Sequence, residues 1–69
     1  MKFNYSKLLG RIKEMGFTFE TLAEAIGISN GTLSAKLNNH YPFKSNEMVA
    51  ICKALNIPFK DIPLYFFAV

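Results

Sequence analysis

Apolar positions recur along this chain at helical spacing, with no strict alternation before the last few residues. Tyr5, Leu8, Leu9, Ile12 and Met15 fall on one face and predict a first helix over residues 5–15, capped by Asn4 and ended by Gly16. Gly10 inside it is unfavourable by up to ~1 kcal/mol relative to alanine, so it marks a candidate close contact. Phe19, Leu22, Ala23 and Ile26 form the stripe of a second helix over 19–26, between a Thr18 cap and Gly27. A third helix follows from the Ser29 cap to about residue 38. Asn39, His40, Tyr41 and Pro42 are turn or breaker residues and predict a loop over 38–44. Met48, Ile51, Cys52 and Leu55 predict a fourth helix from a Ser45 cap to Asn56. A short fifth helix is expected over 58–62, because proline suits a first turn and Pro63 disfavours helical geometry at Ile62. Residues 64–69 are apolar and compatible with a strand, a helical turn or a packed tail. The expectation is one all-α domain over residues 1–69, with five helices and a C-terminal apolar tail at 63–69.

Helices 2 and 3 are joined by Gly27, Ile28 and Ser29, the turn length of a helix-turn-helix, here over residues 18–38. Ala23 is small enough for helix 3 to approach, and glycine at position 27 takes a positive φ without steric conflict. Leu33 and Leu37, four apart, anchor helix 3 on the core. A step of about 100° per residue then turns Gly31, Ala35 and Asn38 outward, with Thr32 and Ser34 flanking them. Such a face suits a DNA groove. Asn30 in the first turn can pair with adenine, Ala35 can touch a thymine methyl, and Gly31 permits close backbone approach. The free N–H groups in the first turns of helices 2 and 3 suit phosphate oxygens. No carboxylate lies between Ile28 and Lys44, and Gly31 and Ser34 are poor choices for a merely solvated helix.

Composition narrows the classes. The 69 residues carry a formal net charge of +3, which fits a polyanionic partner without requiring one. The charge is dispersed, with no basic tail. One cysteine excludes a disulfide within the chain and points to a reducing, cytoplasmic compartment. No Cys/His cluster has zinc spacing, so no metal is expected, and no cofactor motif is present. The longest C-terminal apolar stretch is far short of the ~20 residues that span a membrane, and no signal peptide is recognisable. His40, the only histidine, lacks a catalytic partner, so no enzyme and no catalytic residue is expected. Cys52 lies on an apolar stripe and reads as a buried structural thiol.

The order Leu22-Ala23-Glu24-Ala25-Ile26-Gly27-Ile28-Ser29, then Leu33-Ser34 and Leu37-Asn38, resembles the Cro/CI-type helix-turn-helix family of phage and bacterial regulators. Ala54-Leu55-Asn56-Ile57 is similar to the family's later helices, so that the resemblance covers about residues 5–62. It implies a lambda-repressor-like five-helix fold, double-stranded operator DNA as partner, and usually a homodimer in a bacterial host cell, associated with the nucleoid. By this resemblance Asn30, Gly31, Ser34 and Ala35 contact bases. Thr18, Ser29 and Asn38 contact phosphate, with Thr32 beside them, and Asn39, His40 and Lys44 follow the backbone. Lys36 stands at a position commonly apolar, and with Leu37 as the anchor it is expected to reach solvent or phosphate. Phe19 replaces a glutamine that often touches DNA, and it cannot make that hydrogen bond. Ile12 and Leu37 stand where many members bury an Arg–Glu pair, an exchange that is often neutral.

The sequence therefore predicts a phage or prophage transcriptional regulator that places helix 3 in the major groove. A dimer, formed through the segment from Leu64 to Val69 if that segment is not core, would read half-sites roughly 34 Å apart. The rival is a helix-turn-helix fold turned to protein interaction, which the modest charge and Phe19 favour. Salt separates the two, since phosphate contacts release counterions and an apolar protein interface does not.

Overall fold

The computed structural model describes residues 2–69 and is all-helical, with no strand among the described residues. Its elements are α1 (Ser6–Glu14), α2 (Phe19–Ile26), α3 (Asn30–Leu37), α4 (Ser45–Leu55), a 3₁₀ turn (Phe59–Asp61) and α5 (Ile62–Phe66). The five helices expected from the apolar spacing are therefore present. No helix among them is long and apolar enough to cross a membrane.

Local chemistry explains most boundaries. The expected Asn4 cap is corrected: α1 starts at Ser6 with Tyr5 as its N-cap and no side-chain cap bond, while Asn4 Oδ1, one residue further out, accepts from the Ser6 N–H at 2.9 Å and from the Ser6 hydroxyl. Gly16 at φ 79 and Gly27 at φ 82 end α1 and α2 in the left-handed region, and Asn56 at φ 54 does the same for α4. At the start of α2 two threonines cap each other. Thr18 Oγ1 accepts from the Thr21 N–H at 3.1 Å, and Thr21 Oγ1 accepts from the Thr18 N–H at 2.8 Å. Ser29 Oγ accepts from the Thr32 N–H at 3.1 Å and so caps α3 as expected. The expected Ser45 cap is corrected. Ser45 is already helical, and the start of α4 is secured by Glu47, whose carboxylate accepts from the Lys44 N–H at 2.8 Å.

The core joins all five helices through Leu8 and Ile12, Leu22 and Ala23, Leu33 and Leu37, Ile51, Cys52 and Leu55, and Phe66. Burial raises the Cys52 thiol pKa, as befits a structural cysteine. Ile12 and Leu37 are both buried, consistent with an apolar exchange at those positions. Tyr5, Phe43 and Phe66 stack edge to face at centroid separations of 5.5 and 5.3 Å and close one end of the core.

Four expectations change. Leu9 and Phe19 are 39% and 37% exposed instead of buried; α1 buries Leu8 and Ile12, and α2 buries Leu22 and Ala23. A Cβ added at Gly10 meets nothing within 4 Å, so no close contact explains that glycine. The fifth helix is displaced: residues 59–61 form a 3₁₀ turn, and the helix itself begins at Ile62 and runs through Pro63. Proline is tolerated there because the first-turn N–H groups have no intrahelical acceptor to lose. The tail divides between two roles. Phe66 is fully buried while Leu64, Phe67 and Val69 stay exposed, and the Asn4 N–H donates to the Ala68 carbonyl at 2.6 Å.

Candidate interaction face of the helix-turn-helix

α2 ends at Gly27, whose N–H and that of Ile28 both donate to the Ala23 carbonyl at 2.9 and 3.0 Å. This tight exit leaves only Ile28 and Ser29 before α3. Leu33 and Leu37 then bury one side of α3, and the first turn is left open: Asn30, Gly31 and Thr32 are all exposed. Ser34 and Ala35 are half-buried, so the outward face is narrower than the spacing implied.

The expected phosphate-contacting residues separate into groups. Thr18 and Ser29 are exposed but use their hydroxyl oxygens as helix caps, and Ser29 also donates to Thr32 Oγ1 at 2.7 Å. Asn38 is exposed, and its amide donates to the Ser34 carbonyl at 2.9 Å. His40 and Lys44 are exposed. Asn39 is turned inward. Its backbone is left-handed at φ 64, its Oδ1 accepts from the Phe3 N–H at 2.8 Å, and its Nδ2 donates to the Phe3 carbonyl at 2.9 Å. The side chain thus splints the N-terminal segment and is not free to follow a DNA backbone.

Lys36 is the main correction. It is 5% exposed, and its ammonium donates to both oxygens of Glu47, to Oε2 at 2.6 Å. It does not reach solvent or phosphate. Burial raises the Glu47 pKa, but the hydrogen bonds from Lys36 and the Lys44 backbone, with the charges of both lysines, outweigh it and hold the carboxyl below its ordinary value. Both side chains have their hydrogen-bond partners, and no described buried side-chain nitrogen or oxygen lacks one. The sequence carried the signal for this. Leu33, Lys36 and Leu37 have the i, i+3, i+4 spacing of an inward stripe, which places Lys36 beside the anchors. Arg11 is a second residue that the sequence did not mark. Its Nε donates to the Leu55 carbonyl at 2.9 Å and its Nη2 to the Asn56 carbonyl at 3.2 Å, covering the C-terminal end of α4 from 44 residues away.

These placements set the charge of the face. Between Phe17 and Phe43 the exposed ionised side chains are Glu20 and Glu24, one turn apart on α2. Lys36 is neutralised from inside, and α3 contains no other charged residue. The remaining cations, Lys2, Lys7, Arg11, Lys13, Lys44, Lys53 and Lys60, lie outside the α2–turn–α3 unit. The positive net charge of the chain is therefore not expressed on its helix-turn-helix.

A family model described as "Protein of unknown function (DUF739)" matches residues 1–69. Among solved structures, the chain is similar to the solution structure of the modulator of repression (MOR) of the temperate bacteriophage TP901-1 from Lactococcus lactis. Sequence identity is 40%, the TM-score is 0.81, and the match covers 97% of this chain and 90% of that one. No curated protein matches the chain.

Proposed function

We propose that this chain, which belongs to the DUF739 family, is a small regulatory protein of phage-type repression whose α2–turn–α3 unit docks on the cationic face of a repressor protein. The observation that carries the reading is the charge of that unit, with Glu20 and Glu24 exposed and its one cation buried. A surface that grips DNA needs the opposite sign, because affinity for duplex comes largely from Lys and Arg on phosphates. A repressor's own DNA-reading face has that positive sign, and an acidic unit of matching shape complements it. Phe19, exposed beside Glu20, adds apolar contact area. The likeness to a protein named a modulator of repression supports a role that adjusts a repressor's action.

The test is a titration of the isotope-labelled chain with the DNA-binding domain of a phage-type repressor. Amide shifts are expected on α2 and the first turn of α3, and operator duplex should reverse them. Glu20→Lys combined with Glu24→Lys should weaken binding by about tenfold or more. An unchanged affinity after this charge reversal, or shifts confined to other helices, would count against the proposal.

A second reading keeps sequence-specific operator binding, as in a Cro-like repressor with helix 3 in the major groove. The exposure of Asn30, Gly31 and Thr32 behind the Ser29 cap favours it. In this reading Asn30 pairs with adenine and a homodimer forms through the exposed Leu64, Phe67 and Val69. Asn30→Ala would then cost about 1–3 kcal/mol at the cognate site.

A further inference from the structure

We infer that Glu47 decides which class of partner the helix-turn-helix accepts, by holding the ammonium of Lys36 inside the protein and keeping α3 free of positive charge. The inference rests on the reading of the α2–α3 face as a protein-docking surface and names the residue that sets its specificity.

A lysine on a short surface helix ordinarily buries its stem and leaves its ammonium in water. Lys36 does not do this. Its Nζ lies against both carboxylate oxygens of Glu47, with Lys36 5% and Glu47 7% exposed. The carboxylate is fixed in turn, since it accepts the Lys44 N–H at the first turn of α4, where the helix dipole also favours a negative charge. One carboxylate therefore joins the seventh residue of α3, the end of the following loop and the start of α4. Such a pair adds little stability over an apolar pair of similar volume. Its distinctive effect is on the surface. Remove the carboxylate and the ammonium is left buried without compensation, which drives its flexible stem outward to water along the edge of α3. The helix then presents a cation of its own, where α3 had exposed only uncharged side chains, in addition to the exposed Lys44 whose charge already acts on Glu47.

The experiment compares three proteins: the natural chain, Glu47→Gln, and Lys36→Met combined with Glu47→Leu. Each is titrated with a short random-sequence DNA duplex across a salt series, and separately with a phage repressor DNA-binding domain. The side-chain amide oxygen introduced by Glu47→Gln can still accept the Lys44 N–H. Glu47→Gln is expected to bind the duplex several-fold more tightly at low salt, with a log–log salt slope steeper by about 1. It should bind the cationic repressor domain several-fold more weakly. The double variant, which has no ammonium to release, should match the natural chain in both. A folded Glu47→Gln protein with unchanged duplex affinity overturns the inference, and so does a double variant that gains duplex affinity. If Glu47→Gln does not fold, Thr32→Lys places an ammonium on the exposed first turn of α3 without disturbing the pair. It should show the same gain, and no gain overturns the inference. A natural chain that ignores the repressor domain defeats the docking proposal itself, whatever the duplex arm shows.

Discussion

Asn39 and Glu47 are each asked to do two things at once. Asn39 holds a left-handed backbone and two hydrogen bonds to Phe3. Asn39→Gly keeps the backbone accessible and loses the bonds, so a loss of about 1 kcal/mol is expected. Asn39→Ala adds the left-handed penalty, for about 2–3 kcal/mol in all. Urea denaturation of the two variants distinguishes them. Glu47 links stability to pH. Its native pKa lies below the ordinary 4.5, so the folded state binds fewer protons there than the unfolded chain. Its contribution is fully present above about pH 4.5 and is lost as pH falls through the lowered native value. The Lys36→Met/Glu47→Leu variant should lose that part of the acid dependence, read from denaturation midpoints between neutral and strongly acidic pH. At this scale the sequence spoke clearly where one residue suffices. Gly16, Gly27, Ser29 and Cys52 act as their chemistry dictates. It was silent where a role depends on a distant partner, as for Arg11 on Leu55 or Asn39 on Phe3. Lys36 lies between these cases, for its inward register was readable and Glu47 as its partner was not.

Two glycines, one inside a helix and one just past a helix end, respond to alanine with opposite signs. Gly10 sits inside α1 with open space around its Cβ position, so Gly10→Ala should stabilise the protein by about 0.5–1 kcal/mol. Gly27 ends α2 at φ 82, and alanine there should cost about 1–2 kcal/mol although nothing crowds it. Thermal unfolding should move up by several degrees for the first and down for the second. The first four helices were legible because each combines an apolar stripe with a terminator or a cap. The fifth was misplaced for a physical reason. A proline biases the residue before it away from helical geometry without barring it, a bias sometimes obeyed and sometimes overridden. Ile62 is helical at φ −51 and ψ −47, and Pro63 in the first turn gives up no intrahelical hydrogen bond. Nothing local distinguishes these cases, because what holds α5 in place is Phe66 packed on Phe43.

Over the whole molecule, net charge and surface charge point in different directions. A net charge of +3 suggests a nucleic-acid partner, yet the helix-turn-helix carries only exposed acids. Composition sums over the chain and cannot register that the single cation of α3 is paired inside. The fold was thus largely readable from spacing, and the character of its interaction face was not, because it turns on one buried ion pair. The central claim is that this face meets protein and not DNA. Selection from a random duplex pool by the natural chain alone, at low salt, tests it most directly. No sequence motif should be enriched, and residual binding should be weak. An enriched motif, with binding that Asn30→Ala abolishes, would contradict the claim.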